Sequence, residues 1–150
     1  MPEKETIERA REDAREGKSP STQAGEFVRE EMEHIREGKH GARSAKQAIA
    51  IGLSKARRAG VTLPPPKKGS ASSKVRRQAK LDLEKGNSAS KRKPLATRSR
   101  AAKKALKREP KSAASHRALS RQARSAARSR TKADRSKSAK KAAATRKRNS

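Results

Sequence analysis

Three short stretches of this 150-residue chain place residue types at spacings that chemistry uses. The first is "REGKSPS", in which Gly17-Lys18-Ser19 matches the end of a phosphate-cradling loop. That loop needs a glycine five positions earlier and a strand before it, whereas position 12 is Glu and no strand pattern precedes it. Nucleotide binding is therefore excluded. The second is "EMEHIREGKH", where Glu31 and His34 stand at i, i+3 as in carboxylate metal sites. Such sites take a second motif and further glutamates from facing helices, and none is present. Glu31, His34 and His40, the last in a glycine-flanked loop, are expected to be solvated, with no metal and no cofactor. The third histidine, His116, lies far along the chain. The third stretch, "SAKQAIAIGLSKARRAG", has one helical arc holding Lys46, Gln47, Ala50, Ser54, Arg57 and Arg58. Its cations could meet phosphates, and Gln47 and Ser54 could reach a base edge or the sugar-phosphate backbone. With no cysteine, no nucleophile–base arrangement and no paired catalytic carboxylates, no enzyme is expected.

The strongest chemical signal is charge. The chain carries 43 Lys+Arg against 15 Asp+Glu, a net +28, and the excess is lopsided. Residues 1–66 hold 13 basic and 11 acidic residues, whereas residues 67–150 hold 30 and 4. A polycation of this density displaces condensed counterions from nucleic acid and binds it with little regard for sequence. The candidate phosphate contacts are Lys46, Arg57 and Arg58 in the first half, then Lys67, Lys68, Lys74, Arg76, Arg77, Lys91, Arg92 and Lys93. They continue through Arg98, Arg100, Lys103, Lys104, Lys107, Arg108, Arg117, Arg121, Arg124, Arg128 and Arg130 to Lys140, Lys141, Arg146, Lys147 and Arg148. Phe27 is the one aromatic residue, so platforms on which single-stranded bases stack are missing, which favours duplex DNA over RNA.

The elements that must position these residues are helical. The fold expected is mainly α: a small N-terminal two- or three-helix module followed by a long low-complexity basic tail, disordered or transiently helical. Ile7, Ala10 and Ala14 have helical spacing over Pro2–Glu16, ending at Gly17. Ser19-Pro20 is an N-cap with proline at the first helical position, and Ala24, Phe27, Val28, Met32 and Ile35 form a stripe that ends near Gly38. Ser44 and Gln47 have capping-box spacing, and Gly60 with Val61 after it reads as a left-handed helix end. "AIAIGL" also alternates like a strand, but the caps fit a helix, with Lys55 intruding on its apolar stripe. A helix-turn-helix reading of 20–37 and 44–59 fails on the long connection "GKHGAR". The domain division expected is a module over 1–63, a proline-rich linker over 64–69 and a basic tail over 70–150.

In that tail, Ala, Ser, Lys and Arg make up 62 of the 84 residues from 67 to 150, and its six large apolar residues are scattered. Low hydrophobicity with high charge predicts disorder, relieved when counter-charge lets 95–108 and 113–129 turn helical. The tail resembles the Lys/Ala-rich tails of linker histones and of bacterial histone-like nucleoid proteins, without their regular proline-punctuated repeats. Residues 1–66, above all "GKSPSTQAGEFVREEMEHIREGKHGARSAKQAIAIGLSKARRAGV", resemble a small uncharacterised bacterial domain, a likeness that implies a bacterial source and brings no activity with it.

The expected function is largely sequence-independent DNA binding by a histone-like, nucleoid-associated protein acting through phosphate neutralisation. The alternatives are an RNA- or ribosome-associated basic protein, or an adaptor whose N-terminal helices bind a protein partner. Residues 1–63 offer a surface for such a partner or for a homodimer. No membrane contact, no small-molecule ligand and a cytoplasmic location are expected, since no run approaches the roughly 18 apolar residues of a membrane span.

Overall fold

In the computed structural model, which describes residues 1–89 and 93–150, helices run almost from end to end. They are α1 (Lys4–Arg15), α2 (Pro20–Glu37), α3 (Ala45–Arg58), α4 (Ser73–Asn87), α5 (Ala96–Lys107), α6 (His116–Ser129) and α7 (Lys132–Arg148). A 3₁₀ turn, Lys111–Ala114, leads into α6. The local signals for the first three act as the chemistry requires. Ser19 Oγ accepts from the Thr22 amide at 3.4 Å, and Ser44 Oγ accepts from the Gln47 amide at 3.2 Å. The Gln47 side chain turns back to accept from the Arg43 amide at 2.7 Å, one residue earlier than an ideal capping box. Beyond α3, Gly60 is left-handed with φ 101°, and its amide donates to Arg57 O while that of Val61 donates to Ala56 O, both at 3.1 Å. These are the two bonds of a Schellman motif.

Two apolar clusters hold the helices together. Ala10 of α1, Ala24 and Phe27 of α2, Ala56 of α3 and Val61 form one, with Ile7, Leu53 and Leu63 at its edge. Met32, Ile35, Ala42 and Ala48 form the other, which is completed by Ala113, Ala114 and Leu119 from the second half of the chain. Large side chains are scarce, so the backbones themselves must come close. A Cβ placed on Gly52 would stand 2.7 Å from the Cα of Val28, so α2 and α3 cross where α3 has no side chain.

The expectation of a disordered tail is corrected by these helices. Three of them open on a hydroxyl cap: Ser72 accepts from Val75 N at 3.3 Å, Ser115 from Ala118 N at 3.2 Å and Thr131 from Asp134 N at 3.1 Å. Between caps the sequence is mostly Ala, Lys and Arg, which are strong helix formers. A search for large apolar residues also overlooks what alanine can bury. Ala79 of α4 and Ala113 and Ala114 of the 3₁₀ turn are almost wholly buried. Gly86 of α4 lets that helix approach so closely that a side chain there would overlap the Arg57 carbonyl. The segment before α6 is strapped on by main-chain bonds, Gly41 N donating to Leu106 O at 2.9 Å and Ala42 N to Pro110 O at 3.1 Å. Helices α5, α6 and α7 themselves bury no residue.

Two outcomes follow. Far-UV circular dichroism of the full chain at low salt gives a helical content near two thirds, against under one third if only α1–α3 were formed. Gly52→Ala forces α2 from α3 and lowers the unfolding free energy by about 1–3 kcal/mol, read from denaturant melts.

Candidate functional site

Three kinds of polar arrangement stand out: a buried acidic pair in α2, an aspartate that pins α4, and an outer basic surface. The first is built from Glu30 and Glu31, whose side chains are 2% and 1% exposed. Lys55 of α3 reaches across, its Nζ 2.6 Å from Glu31 Oε2 and 3.9 Å from Glu30 Oε1. The backbone amide of Glu3, ahead of α1, donates to Glu30 Oε2 at 3.1 Å. His40, in the connection between α2 and α3, has its Nε2 3.0 Å from Glu31 Oε1. His34 Nε2 lies 2.9 Å from Glu3 Oε1, and hydrogen bonds from His34 and Lys39 hold the Glu3 carboxyl below the usual carboxylate range. From sequence, Glu31, His34 and His40 are expected to be solvated. The fold buries Glu31, and a coordinating atom from each of the three lies within 4.8 Å of the others.

The second arrangement uses much of the arc that the sequence marks for nucleic acid. Asp82 of α4 is 1% exposed and accepts from Ser54 Oγ at 2.6 Å, Arg58 Nε at 2.7 Å and Gln78 Nε2 at 3.0 Å. Arg57 is buried, donating to Leu63 O at 3.1 Å and Pro64 O at 3.2 Å, and burial lowers its pKa. Arg57 and Arg58 are thus engaged with the chain itself, and Arg58 keeps about half its side chain in solvent. The Gly17-Lys18-Ser19 stretch is likewise structural: Lys18 pairs with Asp13 at 2.7 Å and Glu16 at 2.6 Å, and Ser19 caps α2.

The third arrangement is the outer face of the second half. On α6, Arg117, Arg121, Arg124 and Arg128 follow one another at steps of 4, 3 and 4 and so share one face. The stripe runs about 17 Å along the helix, more than the roughly 12 Å width of the DNA major groove. Beside it a groove of about 610 Å³ lies between the N-termini of α3 and α6, lined by Arg43, Ser44, Lys46, Ser115, Arg117 and Arg121 among others. Two helix N-termini and four cations make this groove attractive to anions. Arg100, Lys103, Lys104 and Lys107 form a similar face on α5. On α7 basic residues point in all directions, and a second basic cleft joins Lys67 to Arg130, Lys137 and Lys141.

Of the residues marked from sequence, Lys46, Lys67, Lys68, Lys74, Arg77, Lys93, Arg98, Arg100 and those from Lys103 to Arg148 are exposed. Arg76 is half-buried, its Nε donating to Pro66 O at 3.2 Å. Lys91 and Arg92 lie outside the described residues. Arg43 escaped the sequence reading because it precedes the capped helix instead of lying on its arc. The 4-3-4 spacing of Arg117, Arg121, Arg124 and Arg128 is the signal from which their shared face could have been found. His40 could not be joined to Glu31 from sequence, since it reaches the site from a loop.

Comparison with known proteins is sparse. Residues 15–68 match a family of unknown function (DUF6496). This segment spans α2 and α3 with the acidic pair and its histidines, and stops before α4. No characterised protein and no solved structure matches the chain. No enzymatic family is indicated. Among the described residues no helix is long and apolar enough to cross a membrane.

Replacing Asp82 by Ala leaves Ser54, Gln78 and the half-exposed Arg58 without their shared acceptor. The expected cost is about 2–3 kcal/mol, with amide exchange across 73–87 accelerating ahead of that in α2.

Proposed function

We propose that the protein binds duplex DNA without sequence preference, through the cationic outer faces of its folded second half. The observation that carries this reading is the separation of roles among the basic residues. Those near the core are engaged with Asp82, Glu31 or main-chain carbonyls, while the 4-3-4 arginine face of α6 and the cations of α5 and α7 stand exposed. Such cations exchange condensed counterions for phosphates. Preformed helices also avoid the ordering cost that a disordered tail meets on binding. Phosphate contacts position a protein and carry no base information, and residues 67–150 contain no Phe, Tyr or Trp to stack on unpaired bases.

The test is fluorescence anisotropy with the full chain and two unrelated duplexes of about 25 base pairs. Both bind equally, and affinity falls by on the order of 10³ or more between about 50 and about 200 mM salt. Substituting Gln for Arg117, Arg121, Arg124 and Arg128 together lowers the slope of log affinity against log salt by about 3–4. Absence of binding at low salt would refute the proposal. A clear preference for structured RNA at about 150 mM salt would replace DNA with RNA as the target.

A further inference from the structure

We propose that Glu31, His34 and His40 form a binding site for one divalent transition-metal ion of the zinc class. The central atom is Glu31 Oε1. It is buried and has no hydrogen-bond partner, although the other oxygen of the same carboxylate holds Lys55 Nζ at 2.6 Å. A buried carboxylate oxygen without a partner is costly and rare. His40 Nε2 is 3.0 Å away, yet the two atoms lack the alignment of a hydrogen bond. A proton shared between them would lie along the line joining them. Two ligands of one ion instead sit side by side and aim at a third point. Around a tetrahedral zinc with bonds of about 2.1 Å, neighbouring ligand atoms stand about 3.4 Å apart.

The outer ring of contacts sets the imidazoles up for this role. His40 Nδ1 lies 2.9 Å from the Gly41 carbonyl, which can only accept, so Nδ1 carries the proton and Nε2 the lone pair. His34 Nε2 faces the Glu3 carboxylate in the same way, leaving Nδ1 as its lone-pair nitrogen. A histidine with one nitrogen donated to a carbonyl or carboxylate and the other free is the arrangement metal ligands adopt. One ligand atom from each of the three residues lies within 4.8 Å of the others, and His40 Nε2 and Glu31 Oε1 are already 3.0 Å apart, so only small side-chain shifts separate the cluster from a tetrahedral edge of about 3.4 Å. Two imidazole nitrogens and one carboxylate oxygen suit zinc and leave a fourth position for water. The histidine side chains are 14% and 16% exposed, which gives an ion a way in.

Charge supports the same conclusion. Glu30 Oε1 is a second buried oxygen without a hydrogen bond, 3.9 Å from both His34 Nδ1 and Lys55 Nζ. One ammonium thus serves two adjacent buried carboxylates, and a dication makes up the shortfall. Bound there, the ion ties α2 to the connection whose Gly41 and Ala42 amides hold the strap before α6.

The experiment uses the untagged full chain, freed of metal with a chelator and held at pH about 7.5, where an ordinary imidazole is mostly neutral. Calorimetric titration with Zn²⁺ is expected to give one ion per chain and a raised melting temperature. Co²⁺ in its place should give the intense visible absorption of a four-coordinate site. His40→Gln weakens binding at least about tenfold, while His116→Gln leaves it unchanged. Should the His40 variant misfold, histidine NMR of the unaltered chain decides: Zn²⁺ must shift the rings of His34 and His40 and spare His116. No stoichiometric binding, an unchanged affinity in a folded His40→Gln, or ring shifts confined to His116 would each overturn the site.

Discussion

Two adjacent carboxylates buried midway along α2 govern how the first half of the chain is arranged. Glu30 and Glu31 cannot stay inside without donors, and the donors come from two different places. The chain ahead of α1 gives the Glu3 amide and α3 gives Lys55, while the connection between α2 and α3 sets the His40 ring against Glu31. Each must arrive in register, so the polar pair fixes geometry that apolar packing alone would leave loose. It also explains the one feature of α3 that disturbs its amphipathic pattern. Lys55 interrupts the apolar stripe because Glu31 lies beneath it.

Around that polar centre the packing is done by small residues. Alanines fill both clusters, and glycines stand where helix backbones meet, Gly52 against Val28 and Gly86 against Arg57. Small side chains bury little area each, but they bring backbones together so that many atoms touch at short range. This lets a sequence with few leucines and a single aromatic residue attach a second half to a first. It also keeps most of the long cationic side chains out of the interior, and the one that is buried among the described residues, Arg57, donates to the Leu63 and Pro64 carbonyls. The same economy that builds the core leaves the basic faces of α5, α6 and α7 open to solvent.

The helices of the first half were legible because their ends are written in local chemistry. Ser19 before Pro20, Ser44 three residues before Gln47, and Gly60 before Val61 act through neighbours in sequence. The second half was misread because its composition matches that of disordered chains, and composition does not register where alanines fall. Ala113 and Ala114 matter through partners about 65 to 80 residues earlier in the chain, which no local pattern reveals. The candidate site was half legible. Glu31 and His34 stand out by their spacing on one helix face, yet the sequence alone leads to solvated residues there, because His40 joins them only once the connection folds back. Ser54, Arg57 and Arg58 share the arc expected from sequence, but that an acidic residue in α4 engages Ser54 and Arg58 could not be read from it.

The strap that crosses the connection between α2 and α3 has a consequence for synthesis. Ala42 and Ala48 are fully covered only with the help of Ala113 and Ala114, about 70 residues downstream. A chain emerging from the ribosome grows at roughly 5–20 residues per second. For several seconds, then, α2 and α3 exist with one flank of their core open to water. Contacts this far apart in sequence form late, after the loop between them has been closed. The nascent protein therefore passes through an interval in which its first three helices are in place and its strap is still unmade.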